Sequence, residues 1–169
     1  MQRQKQKPEG DSTIRILGCG NPLVGDDGIG IHVIEKLSEI RDELPDEVEL
    51  IDAGVCGLEM LNMLEDVSNV IIVDAVKGAG NVGSVHRLSV DDVKEAASGN
   101  DGLSVHDISL ADVLNIAEQV QEMPDQLTIF AIEIEKADEI SLDLSDKVQG
   151  SLDTTVKLII DEISAMKAC

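Results

Sequence analysis

Apolar residues along the chain recur in two alternating rhythms, short continuous runs and longer stretches at helical spacing. The run at 14–17 (IRIL) stops at Gly18, which predicts a first strand leading into the glycine-rich loop GCGNPLVGDDG. Over residues 28–44, Ile29, Val33, Ile34, Leu37, Ile40 and Leu44 fall on one helical face and predict a long amphipathic helix. A second strand is predicted at 48–52; Gly54 and Gly57 then interrupt the pattern before a short helix around 58–64. The third strand, 70–73, belongs to the run VIIVDA, apolar on both faces, and ends on Asp74, as suits a central strand covered by helices on either side. Residues 83–88 predict a fourth strand, 90–97 a short helix, and 98–105 (SGNDGLSV) a loop. Ile108, Leu110, Val113, Leu114, Ala117 and Val120 mark a further helix, 127–134 (LTIFAIEI) a fifth strand, and 146–166 a closing helix with Ser145 at its N-cap and Gly150 tolerated inside. Residues 1–13 lack apolar periodicity and read as a disordered lead before a single domain, 14–169. The alternation predicts an α/β three-layer sandwich: a twisted, largely parallel five-stranded sheet with helices on both faces.

Composition refines this picture. Apolar residues make up 43% of the 169 but aromatic residues only 1%, with Phe130 the sole ring, so the core must be aliphatic. The 34 acidic and 13 basic residues give a formal charge of -21, which repels phosphate backbones and anionic lipid alike. That excludes nucleic acid and membrane surfaces as expected partners and leaves a basic or neutral protein. Cys19, Cys56 and Cys169 are odd in number and lack framework spacing, so neither a disulfide scaffold nor a metal cluster is expected, and a reducing compartment is. No apolar run approaches membrane-spanning length and the polar start has no signal-peptide core, which points to the cytoplasm.

In open α/β sheets, ligands sit beyond the carboxyl ends of the strands, so the residues just after each strand are the informative ones. The first strand runs into Gly18, Asn21, Asp26 and Asp27, the second ends with Asp52 and Gly54, and the third with Asp74. A dinucleotide fingerprint starting at Gly18 fails at Leu23, and two carboxylates at a helix N-terminus would meet a phosphate with repulsion. Asp26 and Asp27 taken alone are accounted for by helix capping, worth roughly 0.3–1 kcal/mol per charge. Asp74 is harder to explain that way, because a carboxylate closing a buried strand needs hydrogen bonds or a cation. Of the three histidines, His32 lies on the long helix, His86 in the fourth strand and His106 in a loop before a helix, where it is best placed to act. Two carboxylates and an imidazole would form an open three-ligand site suited to nickel or zinc, with moderate affinity and positions left for atoms of a partner.

The segments GCGNPLVGDDGIG at 18–30, DAGVCGLEML at 52–61, VIIVDA at 70–75 and SVHDISLADVL at 104–114 together resemble the nickel-iron hydrogenase maturation endopeptidases, the HycI/HybD-like family, over about residues 14–166. The resemblance implies that the metal ligands and reactive residues fall on Asp27, Asp74 and His106, with Gly18, Gly20 and Asn21 shaping the loop and Asp52 and Gly54 supporting the cleft. Members of that family often carry Glu where Asp27 stands, and the shorter side chain keeps charge and ligand type. It further implies an endopeptidase that removes the C-terminal extension of a hydrogenase large-subunit precursor, acts as a monomer, and recognises a nickel ion supplied by that precursor. Two other readings stand beside it. One is a thiol peptidase using Cys19 or Cys56 with His106 as base, and the other a nickel-dependent chaperone or carrier that binds the precursor without cutting it.

Overall fold

The computed structural model describes residues 12–78, 80–98 and 109–169. Its strands are β1 (Ile14–Cys19), β2 (Val48–Gly54), β3 (Asn69–Val76), β4 (Val85–Leu88) and β5 (Gln126–Glu133). The helices are α1 (Ile29–Glu39), α2 (Met60–Leu64), α3 (Val90–Ser98), α4 (Leu110–Val120), α5 (Asp146–Gln149) and α6 (Leu152–Lys167). The strands form one sheet in the order β2-β1-β3-β5-β4, parallel except for β4, which runs antiparallel to β5.

Side-chain alternation divides the sheet into two apolar faces. On one, Ile14, Ile16, Ile71, Val73, Phe130 and Ile132 pack with Ile29, Val33 and Leu37 of α1 and Ile159, Ile163 and Met166 of α6. On the other, Leu17, Val70, Ile72 and Ile129 pack with Met60 and Leu64 of α2, Val93 of α3, and Val113, Leu114 and Ala117 of α4. The expected three-layer α/β sandwich is therefore present, with an aliphatic core centred on one buried phenylalanine. Among the described residues no helix is long and apolar enough to cross a membrane.

Three expectations need correction. The first long helix ends at Glu39 rather than near Leu44: residues Arg41–Glu43 form a 3-10 turn. There the Arg41 guanidinium donates to the carbonyls of Leu44, Pro45, Asp46 and Val48, holding a turn that feeds β2 while Leu44 still reaches the core. The closing helix is broken in two at Gly150–Ser151, where the Ser151 hydroxyl donates to the Val148 carbonyl at 2.7 Å. Ser145 occupies an N-cap position but makes no side-chain cap; its amide and hydroxyl donate instead to Asp26.

The helix α1 lies unusually close to the sheet because two glycines face each other. A Cβ on Gly18 would stand 2.3 Å from the Gly30 carbonyl oxygen, and one on Gly30 would stand 2.2 Å from that of Cys19 and 2.5 Å from that of Val73. The amino end of α1 is thereby pressed over the carboxyl ends of β1 and β3, the neighbouring strands from which the chain departs in opposite directions. A crevice opens at such a switch point.

Candidate functional site

Asp27 enters this crevice from the 3-10 turn Gly25–Gly28, which joins the β1 loop to α1. It is 2% exposed, and its Oδ2 accepts the Asn21 amide at 3.0 Å, so the carboxylate folds the loop back on itself. Asn21 in turn accepts the Leu23 amide through Oδ1 at 3.0 Å. Gly20 has φ +133, a conformation that side chains resist, and its amide donates to the Gly54 carbonyl at 2.8 Å. Gly54 sits at φ +60, held there by the Asp52 carboxylate, which accepts its amide at 2.9 Å. Hydrogen bonds and close backbone contacts thus link Gly20, Asn21, Asp52 and Gly54 around the ends of β1 and β2, with Gly18 against α1.

Asp74 enters from β3, directly after Val73, whose carbonyl lies against Gly30. Its Oδ1 accepts the Ala75 amide at 2.8 Å. Desolvation pushes its carboxyl up from 3.8 to about 7; the Ala75 hydrogen bond opposes this, and the negative charge of Asp27 adds to it. The two aspartates, 47 positions apart in sequence, therefore sense each other's charge within one crevice. Two carboxylates within electrostatic reach of each other are relieved by a proton on one or by a cation nearby, and oxygen donors of this kind suit a divalent metal.

His106, the third expected member, lies outside the described residues, and among those described no group of three His, Cys, Asp or Glu assembles as a metal cluster. A different imidazole appears in line with Asp74. Asp74 pairs with Ala131 of β5, and Ala131 pairs with His86 of β4, so all three project from the same face of the sheet, with the smallest side chain in the middle. His86 Nε2 is buried and finds no hydrogen-bond partner among the described residues. Local pattern placed His86 in a strand but did not reveal this row, because β4 joins the sheet beyond β5 rather than beside β3.

The cysteines overturn an expectation. Cys19 and Cys56 form a disulfide that spans 37 positions, with Cα atoms 5.7 Å apart. It joins the end of β1 to the loop after β2, next to the Gly20–Gly54 hydrogen bond, and leaves only Cys169 as a free thiol. An odd cysteine count and absent framework spacing did not exclude it, since two parallel neighbouring strands bring their ends together regardless of sequence separation. With both sulfurs bonded to each other, neither is the nucleophile that a thiol peptidase requires.

Comparison with known proteins identifies the family. Residues 31–162 match the family model described as hydrogenase maturation protease, HycI. The chain is 31% identical to the hydrogenase 2 maturation protease of Escherichia coli, covering 87% of this chain and 88% of that protein. It is 30% identical to the hydrogenase expression/formation protein HupD of Rhodobacter capsulatus, over 94% of this chain and 73% of the other. The solved structure of the hydrogenase maturating endopeptidase HybD from Escherichia coli superposes with a TM-score of 0.76 at 28% identity, covering 90% of this chain and 93% of that one. A family match over residues 31–162, a relative 31% identical along nearly the whole chain and a shared fold lead to one conclusion: this protein belongs to the hydrogenase maturation protease family and is a peptidase.

Proposed function

We propose that the protein removes the C-terminal extension of a nickel-loaded nickel-iron hydrogenase large-subunit precursor, working as a monomer in the cytoplasm. The observation that carries this reading is that Asp27 and Asp74 follow neighbouring strands at the sheet's switch point, near enough for the charge of Asp27 to act on Asp74, whose carboxyl is raised to about 7 chiefly by burial. Burying two carboxylates together is unfavourable by itself, and a client that brings a divalent cation relieves it. Asp27 and Asp74, with His106 as third donor, would hold the precursor's nickel from the enzyme side. When bound, the ion supplies a positive charge for recognition and Lewis acidity toward a peptide carbonyl.

The chain's own residues set the rest of the site. The Asn21 amide fixes the Asp27 carboxylate, and the Ala75 amide fixes that of Asp74, so both are oriented before the client arrives. A cytoplasmic setting suits client thiolates that must stay reduced to carry the metal. The Cys19–Cys56 bond, with both residues buried, is shielded from thiol exchange there.

Mass spectrometry of a large-subunit precursor from the same organism, incubated with the protein, tests the reading. Loss of the tail is expected with wild type and nickel, and no loss with Asp27→Asn, Asp74→Asn or His106→Ala. Normal processing by any of these variants would remove that residue's role, and an intact precursor with nickel-supplied wild type would favour a carrier instead.

A further inference from the structure

Beside the crevice, the surface displays large apolar side chains where solubility alone would place polar ones. Leu23 is 57% exposed, Ile140 94% and Leu142 68%. They are neighbours: Val24 and Ser141 form a parallel bridge, Ser141 donates its amide to the Leu23 carbonyl at 3.0 Å, and Gly25 donates to the Ser141 carbonyl at 2.7 Å.

This display is held firmly. The Ser145 amide and hydroxyl donate to the two oxygens of Asp26 at 2.7 and 2.8 Å, clamping the segment to the residue immediately before Asp27. Within it, Asp143 donates its amide to the Ser141 hydroxyl, while Ala137 and Leu144 on either side pack against the core. Ile140 and Leu142 are left outward by backbone that has already lost its freedom, so ordering costs little when a partner covers them. Exposed apolar side chains on an ordered scaffold mark interaction surfaces more often than accidents.

Charge identifies the occupant. Residues 135–146 carry five carboxylates and one lysine, and that lysine, Lys136, is paired with Glu139. A second copy of this chain, at -21, would meet this rim with repulsion. A segment with apolar side chains flanked by lysine or arginine would meet it with attraction.

Resting on the function proposed above, we infer that Leu23, Ile140 and Leu142 form the docking surface for the client polypeptide, taking an apolar stretch flanked by basic residues. Through the Asp26–Ser145 clamp this surface is continuous with the loop that carries Asp27, so a chain seated on it passes the crevice.

The test is the double variant Ile140→Ser/Leu142→Ser, whose positions are too exposed to matter to folding; unchanged thermal melts confirm that. With the nickel-loaded precursor as substrate, KM and Kd are expected to rise roughly tenfold while kcat stays near wild type. Added salt should weaken wild-type binding. Wild type that cuts the precursor beside a double variant of unchanged KM and Kd would overturn the docking surface and leave the function intact. Wild type that neither binds nor cuts would overturn both. A concentration-dependent dimer abolished by the double variant would assign the patch to self-association and equally overturn the inference.

Discussion

Replacing Asp74 by asparagine should change how stability depends on pH. The Asp74 carboxyl titrates near 3.8 when unfolded and near 7 in the fold, chiefly because burial disfavours its charge. Below pH 3.8 it is protonated in both states. Between there and 7 the unfolded chain releases the proton while the folded chain keeps it, so stability falls as pH rises, and the loss is complete above 7. At about 1.4 kcal/mol per pKa unit this amounts to at most ~4.5 kcal/mol, and solvent reaching part of the half-buried side chain reduces it to about 2–3 kcal/mol. Asparagine is neutral throughout and keeps an oxygen to accept the Ala75 amide, so the variant escapes the penalty without losing the hydrogen bond. Urea unfolding of both proteins with chelator present, from pH 5 upward to stay above the pI of about 4.2, isolates the term. The advantage of Asp74→Asn should grow by about 1–3 kcal/mol between pH 5 and 8. The self-repulsion of an acidic chain affects both proteins alike and cancels in the difference. Parallel stability curves across that range would refute the argument that Asp74 is held protonated by its surroundings.

Gly30→Ala should destabilise the protein by about 2–3 kcal/mol or more, since the new methyl meets backbone oxygens of both β1 and β3 that cannot yield; chemical denaturation with no change in midpoint would contradict the close approach of α1. Intact mass should register the Cys19–Cys56 bond as two missing hydrogens, and its reduction should cost about 2–4 kcal/mol of stability for a loop of 37 positions; equal melts with and without reductant would argue against it. Glu162→Gln should lose about 1–2 kcal/mol at neutral pH, because the carboxylate takes two hydrogen bonds from Arg87 and one from Thr128. Arg87 holds the Glu162 carboxyl below its usual range, so this advantage is present at neutral pH and fades as pH falls through that lowered value.

Local pattern carried much of this protein. The run VIIVDA is legible as a central strand because both faces of β3 are apolar, and its closing aspartate stands out because burial makes a carboxylate costly. The α1 stripe from Ile29 to Leu37 follows helical period because one face must meet the sheet. The helix ends were less legible: Arg41 and Ser151 terminate α1 and α5 through hydrogen bonds that compete with helix continuation, and pattern alone does not weigh that competition.

Residue type and period by themselves determined that strands alternate with helices, that the core is aliphatic, and that acids follow the first and third strands. Tertiary structure alone decided which of those strands became neighbours. Placing β1 beside both β2 and β3 brought Asp27 within electrostatic reach of Asp74, joined Cys19 to Cys56 and braced Gly20 on Gly54. Adding β4 outside β5 put His86 in line with Asp74. The reason is physical: a strand's period depends on its own residues, whereas strand order is set by the packing of whole faces, and no local window contains that information.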